Sequence, residues 1–394
     1  MSENILQRPF FYDVVIEENI IFFPIMWFNA LCKGNLINDE VEIIDIFPEM
    51  PIYICCSYKR IYKYKEYLLF VPYASDETKE FVLYDLAKSQ FFNISNNFDT
   101  ALMSSIYGKD ECLYYICLQT TKIFKIDLKS HSVQCISSDE YIINNPQIRG
   151  IDRAGDFLYI PVHKKRIILV FNFLTEQITH YNFPSNVLKI QTLCQNEGKI
   201  WITTEDKKIY MWELGQVKAH EAAIFPDSVK LFYHEKIWFA KSFIDKNILW
   251  LFPTFTDSIL KYNILTNKFE TLEIEGEEES TEKLKEDFSN GRCMAIKYSI
   301  VQKYDNKVFF LSSKTRILYE LNLDDNLICR HILKVNNIYN NQIYPPTENG
   351  IMQERSYTEG LRCLIKHQTP RVKKETTKQS TGQIIYKTIN DSKL

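Results

Sequence analysis

The chain has 394 residues and a formal net charge of −3, so its overall charge gives no reason to expect nucleic acid or an anionic membrane as partner. Its 26 Phe and 24 Tyr against 11 Gly and 13 Pro favour many strands joined by polar turns over helices, because aromatic rings pack well on pleated surfaces. No run of about 18 consecutive apolar residues occurs, which excludes an ordinary transmembrane helix.

The amino-terminal stretch MSENILQRPFFYDVV lacks the basic, apolar and small-residue order of a secretory signal, and a cytoplasmic location is expected. An aromatic strand, IIFFP, then ends at Pro24. It is followed by IMWFNALCKGNLINDE, read as an insertion over residues 25–40, and by the strand EIID. Six further strands of the same character follow: LLFVP to Pro72, LYYIC to Cys117, FLYIP to Pro161, KIWIT to Thr203, NILWLFP to Pro253 and VFFLS to Ser312. The intervals between these endpoints are 48, 45, 44, 42, 50 and 59 residues. A period of that size marks a repeat architecture.

A second regularity lies downstream of five of these strands. Asp85, Asp127, Asn172, Asn263 and Asn322 each follow an apolar or aromatic residue, and each has an apolar residue six places later: Phe91, Val133, Ile178, Phe269 and Ile328. An Asx side chain bonds a turning backbone, and the later apolar residue returns to the sheet. Polar turns such as GKDE at 108–111, RAGD at 153–156 and YDNK at 304–307 precede the aromatic strands. The unit is therefore strand, turn, aromatic strand, loop, Asx strand, turn and strand. Four antiparallel strands in about 42 to 50 residues make a β-propeller blade.

The repeats resemble those of degenerate bacterial β-propellers, loosely similar to the YVTN and streptogramin-lyase type, over roughly residues 10 to 335. They lack the terminal Trp-Asp of WD40 blades and the double Gly of kelch blades. The expected fold class is all-β, a single β-propeller of four-stranded antiparallel blades. Seven blades are expected, with six and one aberrant module as the alternative. The propeller is expected over residues 10–366, closed by FFYDVVI at 10–16 or GLRCLIK at 360–366. Insertions are expected at 25–40 and 273–291, and a basic, flexible tail at 367–394. Residues 273–287 of the second insertion hold eight acidic residues against two lysines.

In a propeller, the loop between the second and third strands of a blade shares a side with the connection to the next blade. That side gathers the candidate partner-binding residues Trp27, Phe28, Tyr73, His163, Lys164, Lys165, Arg166, Phe255, Glu277, Glu278 and Glu279. Aromatic rings among both signs of charge suit a protein interface. The expected function is non-catalytic binding of a protein or peptide, with neither membrane nor nucleic acid as partner. A small molecule or glycan is the alternative ligand.

No P-loop, GxSxG elbow, GxGxxG element, HExxH helix or EF-hand loop occurs, and no cofactor is implied. The alternative function is a metal-assisted lyase or hydrolase acting on a peptide or glycan. The resemblance to streptogramin lyases implies a metal supported by His and Glu near the channel, for which His163, His220 and Glu221 are the candidates. These three fall at different registers of the repeat. None of the ten cysteines forms a CxxC pair, and most sit among apolar residues, so they are expected to be reduced and largely buried.

Overall fold

The structure, a computed structural model, describes residues 8–9, 11–25, 30–47, 58–72, 81–94, 105–117, 120–130, 132–137, 139–144, 146, 148, 150–229, 239–254, 256, 258–277 and 297–335. They form seven blades of four antiparallel strands, a seven-bladed β-propeller. The chain divides into two compact units, residues 1–98 with 331–394 and residues 99–330.

The first unit holds two blades. Blade 1 comprises Val15–Glu17, Ile20–Ile25, Ala30–Asn35 and Glu40–Ile46, and blade 2 comprises Tyr58–Tyr64, Tyr67–Pro72, Phe81–Asp85 and Gln90–Ile94. Lys334–Val335 adds to blade 1 as a fifth strand, parallel to Glu40–Val41. This last pairing is not among the two closures expected from sequence. Of those, the early segment supplies the first strand of blade 1, and residues 360–366 lie outside the described residues.

Blades 3 to 7 make up the second unit, apart from His331 at the end of blade 7, which is counted with the first. Their second strands are Cys112–Ile116, Phe157–Val162, Lys199–Thr204, Ile248–Pro253 and Lys307–Ser312, and their third strands are Ile123–Asp127, Ile167–Asn172, Lys208–Glu213, Ile259–Asn263 and Leu318–Asn322. The fourth strands, Ser132–Cys135, Gln177–Asn182, His220–Ile224, Lys268–Leu272 and Ile328–His331, are mostly exposed, whereas the second strands are almost entirely buried. All seven aromatic segments found in the sequence are second strands.

The Asx hairpins have the geometry their spacing predicts. Oδ1 of Asp85 accepts from the N–H groups of Ala87 and Lys88, both at 3.0 Å. Asn263 accepts from Leu265 and Thr266, also at 3.0 Å. The Asx residue pairs with the residue five places on, as in Asn172↔Gln177, so the apolar residue six places on faces the one before the Asx, as in Phe171↔Ile178. Between them the fourth residue after the Asx takes a left-handed conformation at Asp39, Ser89, Glu176, Asn267 and Asn326, with φ of 59°, 50°, 56°, 56° and 60°. A type I turn followed by a left-handed residue is a favoured way to close such a hairpin.

Blade 1 corrects one reading. Ala30–Asn35, assigned to the insertion at 25–40, is the third strand, and EIID belongs to the fourth. Asn35 is a sixth copy of the Asx motif, accepting from Ile37 N–H at 2.8 Å and pairing with Glu40. Its sequence signal is weak because Gly34 stands before it, where other blades carry Tyr84, Ile126, Phe171 or Tyr262. A Cβ on Gly34 would lie 2.8 Å from Cγ1 of Ile21, which fills the space of the missing side chain.

Sheets pack face to face through the rings that the composition supplies. Phe252 of blade 6 lies 5.5 Å from Phe310 of blade 7, which itself stacks on Tyr319 at 5.3 Å. Each such buried ring stabilises the fold by about 1.5–3 kcal/mol. Carboxylates at or just before a first strand bond the first strand of the next blade within each unit. Asp13 accepts from Ile61 N–H at 3.1 Å, and Asp152 from Gln195 N–H at 2.7 Å. Burial pushes both carboxyls up from their ordinary range.

Candidate functional site

Within the second unit, the two ends of the blades differ in construction. One end carries the hairpins between first and second strands and between third and fourth strands, which are short and, apart from the longer 214–219 loop of blade 5, closely similar. The other carries the loops between second and third strands: 117–122, 163–166, 205–207, 254–258 and 313–317. These have little sequence in common.

In blade 4 this loop is a single 3₁₀ turn, His163–Lys165, closed by Arg166 in a left-handed conformation with φ of 52°. Arg166 N–H bonds the carbonyl of His163 at 3.1 Å. The guanidinium donates from Nη2 to the carbonyls of Pro184 at 3.3 Å and Val187 at 3.0 Å, which fixes the chain on its way to blade 5. The His163 ring meets Phe183 edge to face with centroids 6.0 Å apart. Lys164 is tied by its own N–H to the Pro146 carbonyl at 3.2 Å and by Nζ to the Asn144 carbonyl at 3.3 Å. Both lysines are exposed on this braced turn. Of the four predicted residues, Arg166 and His163 hold the loop and Lys164 and Lys165 present charge.

Blade 3 uses a different brace at the same end. The Thr121 hydroxyl donates to the Tyr141 carbonyl at 2.6 Å and accepts from Ile143 N–H at 2.9 Å, pinning the connection that follows the blade. In blade 5 an ion pair between Lys189 and Glu205 at 3.1 Å spans the corresponding loop.

Glu277 is placed otherwise than its charge suggested. Read as one of three exposed acidic residues, it is 1% exposed. Its carboxylate accepts hydrogen bonds from Ser312 Oγ at 2.7 Å, Thr315 Oγ1 at 2.6 Å and Tyr319 OH at 2.8 Å. Gly276, at φ of 83°, lets Glu277 N–H turn back to the carbonyl of Ile274 at 3.0 Å, so the side chain enters blade 7 instead of leaving it. Burial, followed by the adjacent carboxylate, pushes the Tyr319 phenol well up from its ordinary value. Beside Glu277, Lys297 donates from Nζ to the Glu277 main-chain carbonyl at 3.2 Å. Lys297, Ser313 and Arg316 at this end of blade 7 are buried as well. Sequence reasoning missed all of these partners, because a polar run such as SSKTR carries no sign of whether it faces water.

Trp27, Phe28, Tyr73, Phe255, Glu278 and Glu279 lie outside the described residues. The three residues considered for a metal are on separate elements: His163 is in the blade 4 loop, while His220 and Glu221 are on the outer strand of blade 5, where Glu221 pairs with Lys208 at 2.7 Å. Among the described residues no group of three His, Cys, Asp or Glu side chains converges to hold a metal ion. Cys32, Cys117 and Cys194 are buried free thiols, whereas Cys135 and Cys329 are exposed. Burial pushes the thiols of Cys32 and Cys194 far up, which leaves them protonated and unreactive. No described helix is long and apolar enough to cross a membrane.

No protein-family model matches the sequence, and no curated protein matches it. Solved structures do match in fold. PorZ, a surface component of the type-IX secretion system of Porphyromonas gingivalis, is 10% identical over 84% of this chain, with a TM-score of 0.49. This chain spans only 39% of the PorZ chain. AztD from Citrobacter koseri is 10% identical over 80% of this chain and 84% of its own, with a TM-score of 0.46. YCF48, solved with D1 peptide bound, is 9% identical over 82% of this chain and 100% of its own, with a TM-score of 0.52. At such identities what is shared is the architecture, and the chain is a seven-bladed β-propeller similar in fold to YCF48.

Proposed function

We propose that the protein is a non-catalytic propeller that binds a protein or peptide partner through the varied-loop end of its blades, with Lys164 and Lys165 at the contact. The observation that carries this reading is the braced 3₁₀ turn of blade 4. Arg166, the Pro146 carbonyl and the His163–Phe183 contact fix the backbone of a turn that exposes Lys164 and Lys165, and the Asn144 carbonyl holds the Lys164 ammonium. Cations held in advance lose less freedom on binding than mobile ones, and they select partners bearing carboxylates or other acceptors. That YCF48 was solved with a peptide supports the idea that this architecture accommodates one, though it transfers no residue.

The test compares two charge reversals in the full chain against the partner captured from the native organism. Lys164→Glu with Lys165→Glu is expected to weaken binding at least tenfold. Lys199→Glu with Lys268→Glu, at the opposite end of the blades, is expected to change it less than twofold. Equal binding by the first variant and the wild type would reject the proposal.

A further inference from the structure

Given the binding surface proposed above, on which this reading rests, we infer that the partner segment is acidic and carries a large apolar side chain. That side chain packs on Leu188 while the carboxylates meet Lys164, Lys165 and Arg166. Leu188 lies on the connection from blade 4 to blade 5, next to Val187, whose carbonyl Arg166 Nη2 holds at 3.0 Å. Val187 and Ile190 are buried, 0% and 3% exposed, whereas Leu188 is 61% exposed.

The backbone around Leu188 is fixed by hydrogen bonds on both sides. Val187 N–H bonds the Pro184 carbonyl at 3.2 Å, and the Lys189 carbonyl accepts from Glu205 N–H at 3.0 Å. Lys189 takes a left-handed conformation with φ of 50°, and Ile190 enters the first strand of blade 5 while Leu188 stays outside. An exposed leucine alone is ordinary, but one on a braced backbone loses little freedom when a partner covers it.

The charges beside Leu188 set the sign of the partner. Lys164, Lys165 and Arg166 are all exposed, and none of them pairs with a described carboxylate. Lys189, by contrast, is answered by Glu205 at 3.1 Å. Arg166 spends Nη2 on two carbonyls, and no described bond engages its Nε or Nη1, which suit a carboxylate. An apolar contact beside unneutralised cations selects an apolar side chain flanked by acidic ones.

The probe is a library of random linear peptides selected on the immobilised full chain, with the tightest sequence then titrated by fluorescence anisotropy. Selected sequences are expected to be enriched in Asp or Glu beside a large apolar residue. Leu188→Ser should weaken binding about fivefold or more, and Leu265→Ser, an exposed leucine at the opposite end of the blades, less than twofold. Replacing the peptide's apolar residue by Ser should cost as much against the wild type and little against Leu188→Ser, the signature of a direct contact. Wild-type binding by Leu188→Ser together with loss in Lys164→Glu with Lys165→Glu overturns this inference and leaves the surface standing. Equal binding by all the variants overturns both, and selection without acidic enrichment overturns the assignment of the partner. Should Leu188→Ser fail to fold, Leu188→Gln is read in the same way.

Discussion

Replacing Asp39 by Ala is expected to destabilise the protein by about 1–3 kcal/mol, a range set by hydrogen bonds to a charged group that is partly open to solvent. Asp39 occupies the left-handed position of the blade 1 hairpin, and its side chain holds the carboxy-terminal strap. Oδ2 accepts from Ile332 N–H at 2.9 Å, and Oδ1 lies 3.1 Å from Nδ1 of His331. The Asp39 carbonyl separately accepts from Lys334 N–H at 2.8 Å, which brings Lys334–Val335 alongside Glu40–Val41. Asp39→Asn keeps an acceptor and a residue suited to positive φ, so it should recover most of the loss. Asp39→Gly relieves the backbone but not the missing carboxylate, and should resemble Ala. Urea denaturation gives the midpoints, and amide exchange at Ile332 reports the strap itself. Unchanged exchange in the Ala variant would show that the carboxylate does not hold it.

Glu277→Leu is expected to cost more, about 3 kcal/mol or above, because three buried hydroxyls lose their acceptor together. Glu277→Gln retains one oxygen and most of the volume and should cost roughly half as much. The same cluster predicts an alkaline limb. The folded state keeps the Tyr319 phenol protonated beyond the usual tyrosine range, while the unfolded chain ionises near its ordinary value of about 10. The unfolded state then binds fewer protons, so stability falls as pH rises past about 10. Tyr319→Phe should flatten that fall, at the expense of one hydrogen bond to Glu277. A Glu277→Leu variant with wild-type stability would mean that the carboxylate is not in this cage.

Much of the fold is written in the sequence as periodicity. Aromatic second strands are buried on both faces over most of their length and so stay apolar, as in Leu158 to Val162. Asx hairpins repeat because the side chain replaces backbone bonds that a turn leaves open. Blade 1 was misread where a small residue, Gly34, took a place that a ring fills elsewhere, and the pattern of size broke although the pattern of structure did not. The functional end was harder. His163 to Arg166 share one polar run, and only the structure shows that the Arg166 guanidinium is spent on two carbonyls while all three cations remain exposed. Glu277 belongs to an acidic stretch whose charge argues for solvent, yet one glycine with positive φ turns it inward. Composition averages over such local turns, which is why the stretch looked uniform.

The central claim, that recognition occurs at the varied-loop end of the blades, is tested most directly by lysine cross-linking of the captured complex followed by mass spectrometry. Partner cross-links are predicted at Lys164 and Lys165 and not at Lys199 or Lys268. Partner cross-links confined to Lys199 and Lys268 would contradict it.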